Sequence, residues 1–342
     1  MLRDALKQLP TFAARTYRGG KIMREFLGEE NSEDNFYPED WISSFVTAKN
    51  KIFVENEGVT RVEYNGEIRL ITDVVDIEDF GQGRLNSSVL IKLLDSAQRL
   101  GIQVHPTTEF ARDVFNSSFG KTECWYILGK RSEDASVYLG FKEHVTRQLW
   151  AELFQKQDIE GMLSCLHKIN VTPGDVILVT GGTPHAIGEG CFMVEIQEPS
   201  DYTMRVEKVT VDGEVLTPQQ IHYGAGEEKL LDCFDYTPRT LDEVRSEFVL
   251  TPTRGQNGQL HLVKYSDTEC FALSLVDGCD FNEICPSFVT VIVLEDGGKM
   301  LCNSKEYTLK RGDKYFIPAN IGYELKNAMA LLCYPGVKGI KK

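Results

Sequence analysis

Apolar residues between positions 87 and 100 recur at the spacing of an amphipathic helix. Six of them carry the pattern: Val89, Leu90, Leu93, Leu94, Ala97 and Leu100. Residues three and four apart lie on one face of a helix, and a glycine such as Gly101 commonly follows the last helical residue. The pattern therefore predicts a helix over 87–100 that buries one face.

Residues 102 to 105 alternate between apolar and polar, as a half-buried strand does. In a strand, residues two apart point to the same side, so Gln103 and His105 are expected next to each other while Ile102 and Val104 face a core. An exposed polar face is the simpler interpretation of such a pair, and a metal site is the alternative. Further ligands elsewhere in the chain would favour the metal site.

The rest of the chain is predicted to be mostly β, with one helical insert. Two apolar helix faces define the insert over 142–168: Leu149, Trp150, Leu153 and Phe154, then Ile159, Met162, Leu163 and Leu166. Short strands are predicted over 51–55, 61–72 and 124–129. From Val171 onwards, short apolar runs are separated by Gly, Pro, Asp and Asn, which is typical of β-sandwiches and barrels.

A sequence repeat indicates that the chain contains two related β units. Residues 173–188 align without gaps with residues 311–326, and each segment contains a Gly-Asp pair followed by a short apolar run. In this alignment His185 falls on Tyr323. A chance likeness between two β-hairpins is the alternative. If the repeat is real, any chemistry that needs the histidine belongs to the first copy.

The length of 342 residues is sufficient for two domains, each with its own core. We predict a first domain over 1–240, which contains the helical segments 87–100 and 142–168. The second, smaller domain is predicted over 241–342.

Charge and cysteine content narrow the class of partners. The formal net charge is −14 and the only basic run is the short tail 338–342, so nucleic acids and anionic membranes are poor partners. The nine cysteines are irregularly spaced, odd in number and form no C-x-x-C pair, which favours reduced thiols in the cytoplasm. We recognise no secretory signal and no apolar segment of membrane-spanning length.

Two further residues complete a candidate metal site with Gln103 and His105. Glu123 lies in a predicted strand and His185 follows the Gly-Asp turn of the first repeat. Two imidazoles, one carboxylate and one amide oxygen suit a catalytic zinc with an open position, and other divalent ions also accept this set. The alternatives are a surface position for Glu123 and a hairpin-turn position for His185.

Four motifs together resemble class I mannose-6-phosphate isomerase of the cupin superfamily, in its short bacterial form. The motifs are IQVHP (102–106), GKTECWYIL (120–128), GTPHAIG (182–188) and VEIQEPSDYTMR (194–205). The resemblance runs from about Arg18 to the C-terminal region. It implies two cupin domains, each a jelly-roll-like β-barrel, with metal ligands only in the first. It also implies one Zn²⁺ per chain, bound by Gln103, His105, Glu123 and His185.

The resemblance further implies the reaction and its catalytic residues. Class I enzymes interconvert mannose 6-phosphate and fructose 6-phosphate through an enediol, so the expected partner is a small sugar phosphate. The family's catalytic arginine falls on Arg205, a neighbouring acid on Asp201, a lysine on Lys121 and the proposed proton-transfer acid on Glu195. A carboxylate can shuttle the proton and the two cations can stabilise oxyanion charge.

Lys121 and Arg205 each have a simpler interpretation that does not involve catalysis. Lys121 could be a solvated loop lysine, because lysines are mostly exposed. Arg205 could form a surface ion pair with Asp201, which precedes it closely in the chain, or with Glu207, which follows it. Cys124, next to Glu123, is expected on the opposite strand face, in the core.

The sequence departs from the family pattern mainly where phosphate is expected. Gly101 replaces a serine associated with phosphate contact, and Val211 replaces a basic residue. TYRGGK (16–21) lacks the usual tryptophan before Gly-Gly, and DWISSF (40–45) differs from the usual Glu-Ser-Trp run. Because a phosphate dianion needs local cations, we expect weaker phosphate recognition than in a typical member, from the available set Lys121, Arg205, Lys208, Arg18 and Lys21.

Two alternative functions remain open from the sequence. One is isomerisation of a related or non-phosphorylated sugar at the same metal site. The other is a non-catalytic, sugar-binding cupin regulator. A regulator is expected to have lost a metal ligand or Arg205, and both are present.

Overall fold

The computed structural model describes residues 1–81 and 88–337, so residue 87 and the basic tail 338–342 lie outside the described residues. Its strands are β1 Leu6–Gln8, β2 Phe12–Ala13, β3 Glu39–Ile42, β4 Arg61–Tyr64, β5 Glu67–Leu70, β6 Leu90–Asp95, β7 Gln103–Val104, β8 Glu123–Lys130, β9 Ser136–Phe141, β10 Leu166–Asn170, β11 Val176–Val179, β12 His185–Ile187, β13 Cys191–Gln197, β14 Met204–Arg205, β15 Val249–Leu250, β16 Thr253–Arg254, β17 Leu260–Val263, β18 Phe271–Asp277, β19 Phe281–Ile284, β20 Val289–Val293, β21 Lys299–Cys302, β22 Lys305–Thr308, β23 Lys314–Ile317, β24 Gly322–Lys326 and β25 Met329–Pro335.

The helices are short and lie between the strands. They are α1 Lys21–Phe26, α2 Ile77–Phe80, α3 Thr108–Phe115, α4 Arg147–Lys156, α5 Ile159–Ser164, α6 Pro218–His222, α7 Glu227–Asp232 and α8 Leu241–Phe248, with a 3₁₀ turn at Ile71–Asp73. Within the described ranges, no helix is long and apolar enough to cross a membrane.

The strands form four sheets in which neighbouring strands are antiparallel. A seven-stranded sheet has the order β15-β11-β8-β13-β6-β3-β2, and a five-stranded sheet has the order β10-β9-β12-β7-β14. A nine-stranded sheet has the order β16-β17-β18-β25-β20-β23-β1-β4-β5, and a four-stranded sheet has the order β19-β24-β21-β22. The prediction of a mostly β protein is confirmed.

The seven-stranded sheet is buried on both faces. Along β8, Trp125 and Ile127 pack in a core shared with the five-stranded sheet. Cys124 and Tyr126 point the other way, into a core shared with the nine-stranded sheet. The alternation of a strand therefore supplies two separate cores, and Cys124 is a packing residue. All nine cysteines are free thiols.

The predicted helix over 87–100 is wrong, because its central part is strand β6. Every residue from Leu90 to Asp95 is buried. Ile91 and Leu93 face one core and Leu94 faces the other. A strand covered on both faces is apolar at nearly every position, so helical spacing occurs within it by default.

The other predicted elements are confirmed in part. The helical insert exists as α4 and α5, and its last residues belong to β10. The predicted strand region 61–72 is the hairpin β4–β5. The predicted strand over 51–55 is wrong: these residues form an exposed loop, because no neighbouring strand supplies backbone partners.

The repeated Gly-Asp turn has the same structure in both copies. Gly174 and Gly312 have φ angles of 98° and 83°, which glycine adopts without strain. The Gly174 amide donates to Ile127 O at 2.9 Å, and the Gly312 amide donates to Val293 O at 2.9 Å. The pairing is reciprocal in each copy. The Ile127 amide donates to Asp175 O at 3.0 Å, and the Val293 amide donates to Asp313 O at 2.9 Å.

A buried ion pair joins the two large sheets. The Lys314 ammonium in β23 contacts the Asp40 carboxylate in β3, and both side chains are almost completely buried. The second Asp40 oxygen accepts a bond from the Thr11 amide at 2.6 Å. Nearby, the hydroxyls of Ser43 and Thr290 lie 2.6 Å apart. The N-terminal and C-terminal parts of the chain therefore share a polar contact inside the molecule.

Candidate metal centre and active-site cleft

The four predicted metal ligands converge between the five-stranded and seven-stranded sheets. Gln103 in β7 lies directly opposite His185 in β12, and His105 follows β7 on the same face as Gln103. Glu123 begins β8 in the facing sheet. The ligand atoms of His105, Glu123 and His185 all lie within 4.8 Å of one another, and all three residues are buried.

The ligand atoms are close enough to share one ion. His105 Nε2 is 3.1 Å from Glu123 Oε2, and His185 Nε2 is 3.6 Å from Glu123 Oε1. Gln103 Nε2 lies 3.1 Å from His185 Nε2. Rotating the Gln103 amide exchanges its nitrogen for its oxygen, so the same position can present an oxygen ligand.

Backbone carbonyls fix which imidazole nitrogen faces the centre. His105 Nδ1 is 2.9 Å from Tyr202 O, and His185 Nδ1 is 2.8 Å from Thr183 O. A carbonyl only accepts, so each Nδ1 carries the proton and each Nε2 offers a lone pair. Burial lowers the pKa of His105 to about 4 and also lowers the pKa of His185. Both imidazoles are therefore neutral near pH 7, as metal ligands must be.

Lys121 lies against this centre and is not a solvated loop lysine. Its side chain is buried, and Nζ contacts Glu123 Oε2 and lies 2.9 Å from His105 Nε2. Burial acts to raise the pKa of Glu123, but His105 and Lys121 hold it well below its usual value. Glu195 Oε1, 3.6 Å from the same Nζ, is a second carboxylate partner for Lys121.

The four predicted catalytic residues line one cleft beside the ligands. Lys121, Glu195, Asp201 and Arg205 all border it, together with Gln103. Arg205 lies opposite Gln103 in the strand pair β14–β7, which places its side chain at the cleft. The structure thus brings together residues that are up to 102 positions apart in the sequence, from 103 to 205.

Arg205 has no carboxylate partner among residues 1–81 and 88–337. Its Nη1 donates to the carbonyls of Thr203 and Gln220, at 3.1 and 2.8 Å. The two acids that could have formed a surface ion pair with it are otherwise engaged. Glu207 binds Arg99 at 2.6 Å, and Asp201 is 3.4 Å from Arg15.

A buried series of alternating charges, unforeseen from the sequence, forms the floor of the cleft. Glu195 Oε1 lies 2.8 Å from Lys92 Nζ, which is 3.9 Å from Glu39 Oε2. Glu39 Oε2 accepts a bond from Arg15 Nε at 2.7 Å, and Arg15 continues to Asp201. Each carboxylate in the series is thus flanked by a cation.

This alternation keeps the buried Lys92 and Glu39 side chains ionised. Burial acts to lower the pKa of Lys92, but Glu195 and Glu39 raise it above its ordinary value. Burial acts to raise the pKa of Glu39, but Arg15 and Lys92 lower it to about 2. Tyr17 and Trp41 also donate to Glu39, each at 2.8 Å.

The sequence contained one signal for this series. Lys92 is a single cation inside the apolar run LIKLLD, and a buried lysine needs an acidic partner. Its partner Glu195 is the residue paired with it across β6 and β13. No comparable local pattern distinguishes Arg15 or Glu39.

In an antiparallel β protein, a buried His-Glu-His centre beside a cleft of paired charges is compatible with a metal-dependent enzyme. No family model matches the chain. It is 29% identical to the probable mannose-6-phosphate isomerase GmuF of Bacillus subtilis over 255 residues, 73% of this chain and 75% of that protein. It is also 29% identical to the mannose-6-phosphate isomerase ManA of Bacillus subtilis over 245 residues, 68% and 70% of the two chains. The chain is therefore similar in sequence to mannose-6-phosphate isomerases over 68–73% of its length.

Solved structures show the same fold over nearly the whole chain. The crystal structure of the mannose 6-phosphate isomerase from Bacillus subtilis matches with a TM-score of 0.72 and 22% identity, over 96% of this chain and 99% of that one. A lysine-to-alanine variant of phosphomannose isomerase from Salmonella typhimurium matches with a TM-score of 0.74 and 16% identity, over 97% and 99%. At these identities the likeness establishes the fold.

Metal binding tests the assignment of the centre. Replacing His105 or His185 by Ala removes one of two imidazoles that face it, so each variant is expected to lose most of its bound divalent metal, measured by elemental analysis after dialysis. The matched control is His144→Ala, an exposed histidine outside the site. Full metal content in both His105→Ala and His185→Ala would contradict the assignment.

Acid unfolding tests the charge series through Glu39. The pKa of Glu39 is about 2 when folded and near 4.5 when unfolded, so its carboxylate stabilises the fold above pH 4.5 and loses this effect as the pH falls towards 2. Glu39→Gln is expected to cost about 3 kcal/mol of unfolding free energy at pH 7, and the difference from wild type should shrink below pH 4.5 in urea titrations. Glu133→Gln, at a side chain that is 92% exposed, is the control. A cost for Glu39→Gln that does not change with pH would refute the ionic role.

Proposed function

We propose that the chain is a metal-dependent aldose–ketose isomerase that interconverts mannose 6-phosphate and fructose 6-phosphate. One observation carries the proposal: a buried His-Glu-His centre opens on a cleft that also contains Glu195, Lys121 and an Arg205 without a carboxylate partner in the described chain. The names of the homologous isomerases support the substrate.

The proposed architecture is a catalytic cupin over 1–240 and a second cupin over 241–342 that binds no metal. Strand pairing supports the equivalence of the two sites, because Tyr323 lies opposite Glu283 as His185 lies opposite Gln103. In the second copy Glu283 accepts bonds from Tyr323 and Tyr334, at 2.8 and 3.0 Å. The two tyrosine hydroxyls therefore bind the Glu283 carboxylate oxygen that a metal ion would otherwise contact.

The metal is proposed to be one Zn²⁺, held by Gln103, His105, Glu123 and His185. When bound, it supplies a Lewis acid that polarises the sugar carbonyl. The donor set fits, because two neutral imidazoles, a carboxylate and an amide oxygen leave a position open for substrate.

Glu195 is proposed to move the proton between C1 and C2 of the sugar. Both of its ammonium contacts, from Lys92 and Lys121, go to Oε1. Oε2 is therefore the oxygen offered to a substrate proton. The short contact with Lys92 holds the Glu195 carboxylate in the cleft, which Lys121 also lines.

Arg205 is proposed to stabilise negative charge on the enediolate. Two carbonyls hold its Nη1, so the guanidinium is oriented before substrate arrives. Asp201 is assigned a positioning role, because its carboxylate is engaged by Arg15 and by the Lys49 amide.

The nine free thiols support a location in the cytoplasm.

A second candidate is isomerisation of a non-phosphorylated sugar, favoured by Gly101 and Val211 in a side cavity of the cleft. A non-catalytic regulator is disfavoured, because the ligand cluster and Arg205 are both in place. Comparing turnover of mannose 6-phosphate with turnover of free mannose distinguishes these three functions.

A coupled assay tests the proposed reaction. Metal-loaded protein is expected to form fructose 6-phosphate from mannose 6-phosphate, to lose this activity with a chelator, and to regain it with Zn²⁺. Free mannose is expected to be a poor substrate by kcat/KM. Equal kcat/KM for the two sugars would favour the second candidate, and absence of turnover with either would favour the regulator.

Arg205→Ala is expected to lower kcat by about 100-fold to 1,000-fold while KM changes only a few-fold, because the lost charge acts mainly on the transition state. Steady-state kinetics at several substrate concentrations measure both constants. Arg147→Ala, at an exposed arginine paired with Glu228 and Asp232, is the control. A raised KM with unchanged kcat would assign Arg205 to ground-state binding.

A further inference from the structure

The catalytic cleft adjoins two further cavities, and Thr16 and Arg205 line all three. The first, here called the Arg99 branch, is also lined by Arg99, Glu207 and Val211 and has about 320 Å³ of empty space. The second, the Lys49 branch, is larger, with about 980 Å³. Its remaining lining residues are Arg15, Lys49, Asn50, Lys51, Thr217, Gln219, Gln220 and Tyr223.

A phosphate group in either branch requires a cation that is not already neutralised. A phosphate ester carries nearly two negative charges and binds through charge-assisted hydrogen bonds. Most described cations that line these cavities are paired with a carboxylate: Arg15 with Glu39, Lys92 with Glu195, Lys121 with Glu123, Arg99 with Glu207 and Lys51 with Glu214. Among the described cationic residues that line these cavities, only Lys49 and Arg205 have no carboxylate partner.

The Arg99 branch is a poor place for an anion. Arg99 donates to both oxygens of Glu207, at 2.6 and 3.0 Å. Glu207 is fixed in this position, because it also accepts a bond from the Ile102 amide at 2.7 Å. A phosphate there would meet a buried carboxylate and the apolar Val211.

The Lys49 branch has the opposite character. Lys49 Nζ lies 4.4 Å from the centre of the Tyr202 ring, and the residue is exposed. Its backbone amide donates to Asp201 Oδ2 at 2.8 Å, and Asp201 itself is 3.4 Å from Arg15. The carboxylate that borders the catalytic cleft therefore fixes the backbone of Lys49, and the ammonium remains available to a ligand.

We propose that the Lys49 branch holds the phosphate group of the substrate and that Lys49 is the residue that confers specificity for a phosphorylated sugar. Because Arg205 lines both this branch and the catalytic cleft, a substrate bound in both contacts it along its length. This inference rests on the proposed isomerase function and deepens it.

Kinetics of Lys49→Met test the proposal, because methionine keeps an apolar stem over Tyr202 and removes the charge. The KM for mannose 6-phosphate is expected to rise by about tenfold or more, as for loss of one charge-assisted bond, with kcat within about twofold. The inhibition constant of inorganic phosphate should rise by a similar factor. Lys49→Arg should restore both constants.

Two control variants locate the effect. Lys299→Met removes an exposed lysine that is paired with Glu306 and lines none of these cavities, and Val211→Trp fills the Arg99 branch at an exposed residue. Both are expected to leave KM within about twofold of wild type, since neither removes an unpaired cation. A tenfold rise in KM for Val211→Trp, with none for Lys49→Met, would place the phosphate in the Arg99 branch and overturn the proposal.

Direct binding separates this inference from the proposed function. Titration calorimetry with inorganic phosphate reports the anion site without turnover, and weaker binding by Lys49→Met than by wild type or Lys299→Met is expected. If wild type binds phosphate in this Lys49-dependent way but isomerises no sugar, the proposed function fails and the anion site stands. If wild type is active and Lys49→Met matches it in KM and in phosphate binding, the inference alone fails.

Discussion

Charge alternation inside the cleft is the constraint on which the rest of the site depends. Glu123, Glu195, Glu39 and Asp201 are all buried or nearly so, and a buried carboxylate without a partner is strongly destabilising. Lys121, Lys92 and Arg15 stand between them in space, so that each acid has a cation beside it. Because protein carboxylates already neutralise these three cations, positive charge for an anionic ligand has to come from residues at the edge of the cleft.

The two sheets contribute different parts of the centre. Gln103, His105 and His185 come from the five-stranded sheet, and Glu123 comes from the seven-stranded sheet. The spacing between ligands therefore depends on the core that separates the sheets, where Trp125 packs edge-on to the His185 ring at 5.7 Å between ring centres. Trp125 also donates to Glu123 Oε1 at 3.1 Å, so one core residue touches ligands from both sheets. Core packing and the spacing of the candidate ligands are coupled through that indole.

The candidate ligands could be predicted from the sequence because each lies in a short pattern with local meaning. Gln103 and His105 share a strand face, and His185 follows a Gly-Asp turn whose glycine needs a positive φ. Arg15 and Glu39 could not be found in this way, since their significance lies in partners from distant parts of the chain. The incorrect helix prediction over 87–100 also concealed the orientation of Lys92. In a strand, Lys92 lies on the same face as Leu94, towards the cleft, whereas in a helix the two residues lie on different faces. Likewise, β1 has only three residues, and nothing local indicates that it pairs with β23.

The ion pair between Asp40 and Lys314 has a consequence for the order in which the protein is made. Asp40 is synthesised while most of the chain is still missing, and Lys314 follows it 274 residues later. Until then the Asp40 carboxylate has no cation of its own in the interior, and β1 lacks its neighbour β23. Glu39 precedes Asp40 in the same strand, so the floor of the cleft is held by a contact that only a nearly complete chain can make. Nascent chains, and chains that terminate before Lys314, therefore lack this contact between β3 and β23.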